Sequence, residues 1–289
     1  MADRNNTDFP GKLGDFSTGR TVTPFQIAYA GTRWKRHNLY CPTTNLLFGF
    51  TPKAGCSTIA KLFFYNAEDH ELRHFQEWPH RYRLDYQKKV PTKLSSWLSQ
   101  RPVKIKFVRD PFSRAVSCYT HMMRTKLIQY MVKIDGSAIR PYSGGDKRSG
   151  LPSFSEFLDW LEAIRLEFAN PHFGLQRIPF ESSVFRYDYV VKIEQMQERI
   201  TEINASLDIP LTVPDALLAS RHHLTRRGYD GSFVGETPYY DLGISADGRN
   251  APPYASFYNK RLAEKVRKLF RKDIELYHYQ ESFDHILEH

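Results

Sequence analysis

Apolar positions along the chain switch between two periods. Leu46 to Phe50 is a short continuous apolar run, which Thr51-Pro52 breaks. From Ser57 the pattern changes to Ile59, Leu62 and Phe63 at helical spacing. That succession predicts a strand, a loop of small residues and a helix ending near Asn66. Val103 to Val108 is a second buried-strand candidate, and it runs directly into Asp110 and Pro111. Asp as N-cap with Pro at the first helical position is a strong start signal, and the helix continues through Ala115, Val116, Cys118, Tyr119 and Met122. Ser153 and Glu156 have the spacing of a capping box. They precede a helix expected to reach about Phe168, with Phe157, Trp160, Leu161, Ile164 and Phe168 inward. Val184 to Ile193 reads as a third strand, and Glu194 to Ser206 as the helix after it. Tyr254 to about Tyr277 reads as one long amphipathic helix carrying Leu262, Val266, Leu269, Phe270 and Leu276 on its apolar side.

The remaining stretches lack such periodicity. Residues 1–44 are punctuated by Gly, Pro and Thr and read as an N-terminal arm lying on the domain. Glu68 to Lys89 is charged and rich in histidine and aromatic residues, and reads as a long functional loop. Thr92 to Gln100 fits a short helix stopped before Pro102. Ile134 to Pro152 and Pro210 to Pro253 read as loops. Strands alternating with helices predict an α/β fold with a mostly parallel central sheet flanked by helices on both faces. No internal repeat or domain boundary is visible, so residues 45–289 are expected to form a single domain.

Composition narrows the partners more than the fold. A hydrophobic fraction of 41% over 289 residues is enough for a packed core. The formal net charge of +9 favours polyanionic partners, from nucleic acid and acidic glycans to phosphorylated cofactors. The three cysteines, Cys41, Cys56 and Cys118, contain no C-x-x-C pair, which excludes a zinc knuckle and a disulfide framework and fits a reducing compartment. No stretch has the length of a membrane span, and the N-terminus lacks an apolar signal core, so a cytoplasmic protein is expected.

The candidate chemistry sits where strands run into helices, the edge at which such folds bind ligands. In Thr51-Pro52-Lys53-Ala54-Gly55-Cys56-Ser57-Thr58, unpaired amides of the loop and first helical turn, the helix dipole and Lys53 together make an anion cradle. A nucleotide-triphosphate loop would need a glycine at Phe50 and a lysine at Cys56. Nor does an acidic residue end a hydrophobic strand to hold Mg²⁺, Asp110 looking like a cap. Both departures count against a kinase and for a metal-free phosphate site. An ordinary tight turn with a surface lysine would read the same way in isolation. The second junction adds Arg109 at a strand end, with Arg114 and Ser117 on the helix, an arrangement able to clamp another phosphate. From Arg101 to Arg148 there are eleven Lys and Arg against three acidic residues. A solvated basic helix face accounts for any one of these residues alone.

Taken together, the two stretches resemble the sulfotransferases that use PAPS (3′-phosphoadenosine 5′-phosphosulfate). Thr51 to Thr58 looks like that family's 5′-phosphosulfate loop. Phe107 to Tyr119, F-V-R-D-P-F-S-R-A-V-S-C-Y, looks like its 3′-phosphate motif. The P-K-x-G-C-S loop and the R-x-P-F-x-R-x-x-S-x-Y helix are closest to the carbohydrate branch, and Tyr187 to Glu194 and Phe257 to Tyr279 resemble its later strand and terminal helix more loosely. The resemblance implies a P-loop-like fold, PAPS as donor, PAP as product and no metal. It implies that Gly55, Cys56, Ser57 and Thr58, with Lys53 and Ala54 in the same loop, hold the 5′-phosphate. Lys53 would neutralise the leaving phosphate oxygen, and Arg109 and Ser117 would hold the 3′-phosphate. Arg114 either assists there or supports the helix. Thr225 to Gly231, T-R-R-G-Y-D-G, resembles a basic loop that closes over the 3′-phosphate, which makes Arg226 and Arg227 candidates.

Transfer to a hydroxyl needs a base, and histidine suits that near neutral pH. Family members often place a His or acidic base between the two motifs, where this chain has His70, His74, Glu77 and His80. His80 is the preferred base and His74 the next, with His222 and His223 outside candidates. The acceptor is expected to be a carbohydrate, with a small hydroxylated metabolite or a lipid-linked sugar as alternatives. A P-loop-like kinase and a non-catalytic polyanion binder are the competing classes. Scattered aromatics make no stacking platform for nucleic acid, and no nucleic-acid motif is present.

Overall fold

The computed structural model describes residues 37–67, 79–90, 100–131, 150–178, 181, 185–207, 210–214, 229–245 and 250–280. A four-stranded sheet in the order β1-β2-β3-β4 forms its centre, with seven α-helices among the described residues. β2 (Leu46–Gly49), β3 (Val103–Val108) and β4 (Tyr189–Lys192) run parallel. β1 (Asn38–Cys41) is antiparallel on the edge, with Leu39 opposite Phe48. β1 lies inside the stretch read from sequence as an irregular arm. Four residues are too few for a periodic signal, yet all four are buried.

Alternation along the strands separates two environments. Leu39, Phe48, Ile105, Phe107 and Val191 point to one face. That face is covered by α1 (Cys56–Asn66) through Ile59, Leu62 and Phe63, and by α5 (Met196–Asn204) through Met196, Ile200 and Ile203. Full burial of each large apolar side chain contributes about 1.5–3 kcal/mol. The opposite face carries Tyr40 and Leu47 against Ile178 and Phe185. It also carries Lys106, buried and paired with Glu181 at 3.4 Å. Tyr277 donates to the other Glu181 oxygen at 2.8 Å, so both carboxylate oxygens of the buried pair have donors. Gly49 is required here, because a Cβ at this position would fall 2.3 Å from the Tyr187 hydroxyl oxygen.

The other helices share a separate core. α3 (Pro111–Met123), α4 (Phe154–Glu162) and α6 (Lys260–Leu269) bury Phe112, Tyr119, Phe154, Phe157, Leu262 and Val266 together. The expected caps are present: Asp110 accepts from Ser113 N–H at 2.6 Å, and Ser153 and Glu156 close a reciprocal capping box.

Four expectations need correction. Residues 79–89 are not loop but helix α2 (Pro79–Lys89). Its Tyr82 and Tyr86, four residues apart, pack on Phe64 and Phe63 of α1 at ring separations of 4.6 and 5.5 Å. Two aromatics in an otherwise charged segment are too few to show a helical period. α4 stops at Glu162 rather than near Phe168. Leu175 N–H bonds Leu166 O and Gly174 N–H bonds Asn170 O, which closes a compact turn around Asn170-Pro171 instead. The third strand is β4, ended where Ile193 begins a 3-10 turn, and its expected start at Val184 lies outside the described residues. The expected long terminal helix is three pieces: a 3-10 turn at Tyr254–Phe257, then α6, then α7 (Arg271–Tyr277). Asn259 caps α6 by accepting from Leu262 N–H, and the chain bends at Phe270. The bend carries fully buried Asp273 of α7 to the amides of Gln176 and Arg177 at 2.8 and 2.9 Å. Most of the expected helix at residues 92–100 lies outside the described residues.

Candidate active site

The loop between β2 and α1 is held in an unusual backbone shape. Lys53 and Gly55 both have positive φ, at 67° and 73°. For a lysine that conformation is uncommon and persists only when the surroundings over-determine it. Three bonds do so. Ala54 N–H donates to Thr51 O at 3.2 Å, the Arg109 guanidinium donates to Lys53 O at 3.2 Å, and Arg114 Nε donates to Pro52 O at 3.3 Å. Gly55 is the N-cap of α1 and offers no side chain to the helix start, and the first turn holds no acidic residue. The amides of Cys56, Ser57 and Thr58 therefore keep their capacity for an anion, assisted by the helix dipole.

Arg109 leaves the end of β3 and ties the second junction to this loop through that same Lys53 carbonyl. Its guanidinium also lies 5.3 Å from the centre of the Tyr254 ring. The Gln176 side chain fixes the Arg109 backbone from both sides, accepting from its N–H at 2.9 Å and donating to its C=O at 2.7 Å. Ser117 is buried on α3, with Arg114 and His121 one turn to either side. Arg114 is itself buried, and both of its described bonds go to carbonyls: Pro52 O and, through Nη2, Pro171 O at 3.1 Å. Glu194 lies just past β4 at the same sheet edge. It accepts from Asp110 N–H at 2.8 Å and from the Tyr279 hydroxyl at 3.2 Å, and burial pushes its carboxyl up. No group of three or more potential metal-binding side chains occurs among the described residues.

His80, at the start of α2, reaches the loop. Its Nε2 is 2.9 Å from the Ser57 hydroxyl and 4.0 Å from Cys56 Sγ. Burial alone would push the Cys56 thiol up. The hydrogen bond and charge of His80, with the cations Arg83 and Lys53, bring it down to about 7. Burial also lowers the Lys53 ammonium, and Arg109 adds to that, against opposing contributions from Cys118, Cys56 and Tyr254.

Three residues at this site were not singled out from sequence. His121 on α3 and His172 in the turn after α4 stack with ring centres 5.2 Å apart and planes at 18°. Arg83 lies three residues after His80 on α2, its guanidinium 5.6 Å from the Phe50 ring centre and its buried Nε without a partner. His121 could have been found by continuing the face of α3 one turn past Ser117. Nothing local marked His172. The candidates His70, His74, Glu77, His222, His223, Arg226 and Arg227 lie outside the described residues.

An α/β unit with an amide-rich loop, several cations and, among the described residues, no carboxylate bonded to that loop has the makings of an anion-binding site at the carboxyl edge of a parallel sheet. The comparison with protein families makes this specific: residues 36–280 match the model of the sulfotransferase family, and the chain belongs to that family. The match begins just before β1 and includes both strand-to-helix junctions. No curated protein and no solved structure matches the chain. No helix among the described residues is long and apolar enough to cross a membrane.

Proposed function

We propose that the protein transfers a sulfuryl group from PAPS to a hydroxyl of a carbohydrate acceptor. The observation that carries this reading is the bond from Arg109 to the Lys53 carbonyl, which ties the two strand-to-helix junctions together. PAPS has two anionic ends, and the donor set fits both. Loop amides and the Ser57 and Thr58 hydroxyls take the 5′-phosphate, and Arg109 with Ser117 takes the 3′-phosphate. The bound donor supplies an activated sulfuryl group whose S–O bond to the 5′-phosphate breaks. Lys53, already held in the loop, stabilises the negative charge that develops on the phosphate oxygen. His80, in contact with the loop through Ser57, accepts the proton of the attacking hydroxyl. Arg226 and Arg227 close over the 3′-phosphate in this reading, and His74 is the second choice as base. No metal takes part. Cys41, Cys56 and Cys118 all remain thiols, which supports a cytoplasmic setting.

Calorimetric titration with PAP tests the donor assignment. Wild-type protein should bind PAP without Mg²⁺, and Arg109→Ala should weaken binding roughly 10- to 100-fold through loss of charge-assisted hydrogen bonds. Tight binding of ATP–Mg²⁺ with none of PAP would overturn the reading. An acceptor screen with labelled PAPS then separates sugars from small hydroxylated metabolites.

A further inference from the structure

The His121–His172 pair has no role in the reaction as described, yet the charge of Lys53 acts on both rings. Its geometry is built. The Asn170 side-chain oxygen lies 2.9 Å from His172 Nδ1 and also accepts from the His172 backbone N–H at 3.0 Å. An amide oxygen engaged this way faces a ring N–H, so Nδ1 carries the proton and Nε2 presents a lone pair. Pro171, between those two residues, receives the Arg114 guanidinium, which also holds the donor loop at Pro52. The turn carrying His172 and the loop carrying Lys53 are thus bridged by one side chain.

The charged surroundings of both rings are one-sided. Facing them are Lys53 from the loop, His80 and Arg83 from α2, Arg114 from α3 and Arg124 at its C-cap. No carboxylate is among these neighbours in the described residues. Burial first, then Lys53, holds His121 at about 3 and His172 at about 4, so both rings are neutral at pH 7 while the loop carries no anion. Every influence but burial here is a repulsion between cations, and a phosphate on the loop amides opposes it with an attraction.

We infer that the His121–His172 pair belongs to the donor site and takes up one proton when the phosphorylated nucleotide binds, becoming an additional cation against its phosphate or phosphosulfate. This rests on the donor reading above. A single proton is expected, because two imidazolium rings stacked 5.2 Å apart would repel. The proton goes to Nε2 if His172 takes it, since Nδ1 is committed to Asn170. Donor affinity is then linked to pH by the pair. The rings are neutral without donor above pH about 4, and uptake occurs between that value and the raised midpoint of the complex, so the pair's contribution grows as pH falls through that midpoint.

Histidine-selective NMR on the full chain, with PAP as the probe, tests this. His121→Gln and His172→Gln assign the two rings. Without PAP neither ring should titrate above pH 5, and with PAP one of them should titrate at least a unit higher, a tenfold change in proton affinity per unit. Calorimetry in two buffers of different ionisation enthalpy should show proton uptake that the His121→Gln/His172→Gln double variant loses. That difference removes the contribution of the phosphates of PAP itself. If PAP binds and both rings stay neutral down to pH 5, or the double variant takes up protons like the wild type, the inference is overturned while the donor reading stands. If the wild type binds no PAP, both are overturned.

Discussion

Replacing Arg114 decides between two roles for the most deeply buried cation at the site. Arg114 is 1% exposed and sits on α3 in the middle of the 3′-phosphate motif, where a direct bond to the donor is one possibility. Its geometry favours the other. Nε reaches Pro52 O at 3.3 Å and Nη2 reaches Pro171 O at 3.1 Å, so the planar fork spans two backbone segments. Arg114→Leu takes the donor from the buried carbonyl of Pro52 and from the half-buried carbonyl of Pro171, each costing about 1–3 kcal/mol. It also removes a positive charge that lowers the otherwise raised carboxyl of buried Asp273. Against this, leucine recovers the desolvation cost of the guanidinium. A net loss of about 2–5 kcal/mol follows. At roughly 2 °C per kcal/mol for a chain of this size, Tm should fall by about 4–10 °C.

Thermal melts and PAP titrations of the same samples read both roles. A scaffold Arg114 predicts a lower Tm for Arg114→Leu, with weakened PAP binding as a consequence of the released loop. Arg114→Lys should recover only part of the Tm, because an ammonium reaches one carbonyl and not both. The reasoning is refuted if PAP affinity drops tenfold or more while Tm stays within about 1 °C, the mark of a direct ligand. It is equally refuted if neither quantity moves.

Two further predictions concern the loop itself. Lys53→Met should lower kcat by about 10²–10³ while PAP affinity changes far less, since its charge matters most as the leaving oxygen becomes negative; equal losses in both would place Lys53 in ground-state binding instead. For Cys56, the thiolate is the reactive form and its fraction rises through about pH 7, so alkylation by iodoacetamide should be half-maximal near pH 7, should be slowed by PAP, and should shift to higher pH in His80→Ala. A wild-type midpoint near pH 9 would show that His80, Arg83 and Lys53 do not act on the thiol.

What sequence could show of this site depends on how far apart its parts lie in the chain. Lys53 to Thr58 and Arg109 to Ser117 each occupy one strand-loop-helix junction, so residue types and short spacings display the chemistry directly. Asp110 and Ser153 are legible for the same reason, because a cap is a contact within four residues. The helix α2 is different: its order comes from Tyr82 and Tyr86 lying on Phe63 and Phe64, a tertiary contact that leaves seven of its eleven residues charged or strongly polar. The position of His80 on the donor loop is a consequence of that packing, which is why a histidine could be nominated there but not placed. The bend at Phe270 is likewise decided elsewhere, by the amides of Gln176 and Arg177 that Asp273 must reach. His121 and His172 go furthest in this direction. They are 51 residues apart in sequence, and the turn closed at Leu166–Leu175, bridged to the donor loop by Arg114, sets their rings together. The anion cradle is thus a local property of the chain. The histidines that respond to what it holds are a property of the fold, and substitutions in the 166–175 turn should disturb the second directly and reach the first only through Arg114.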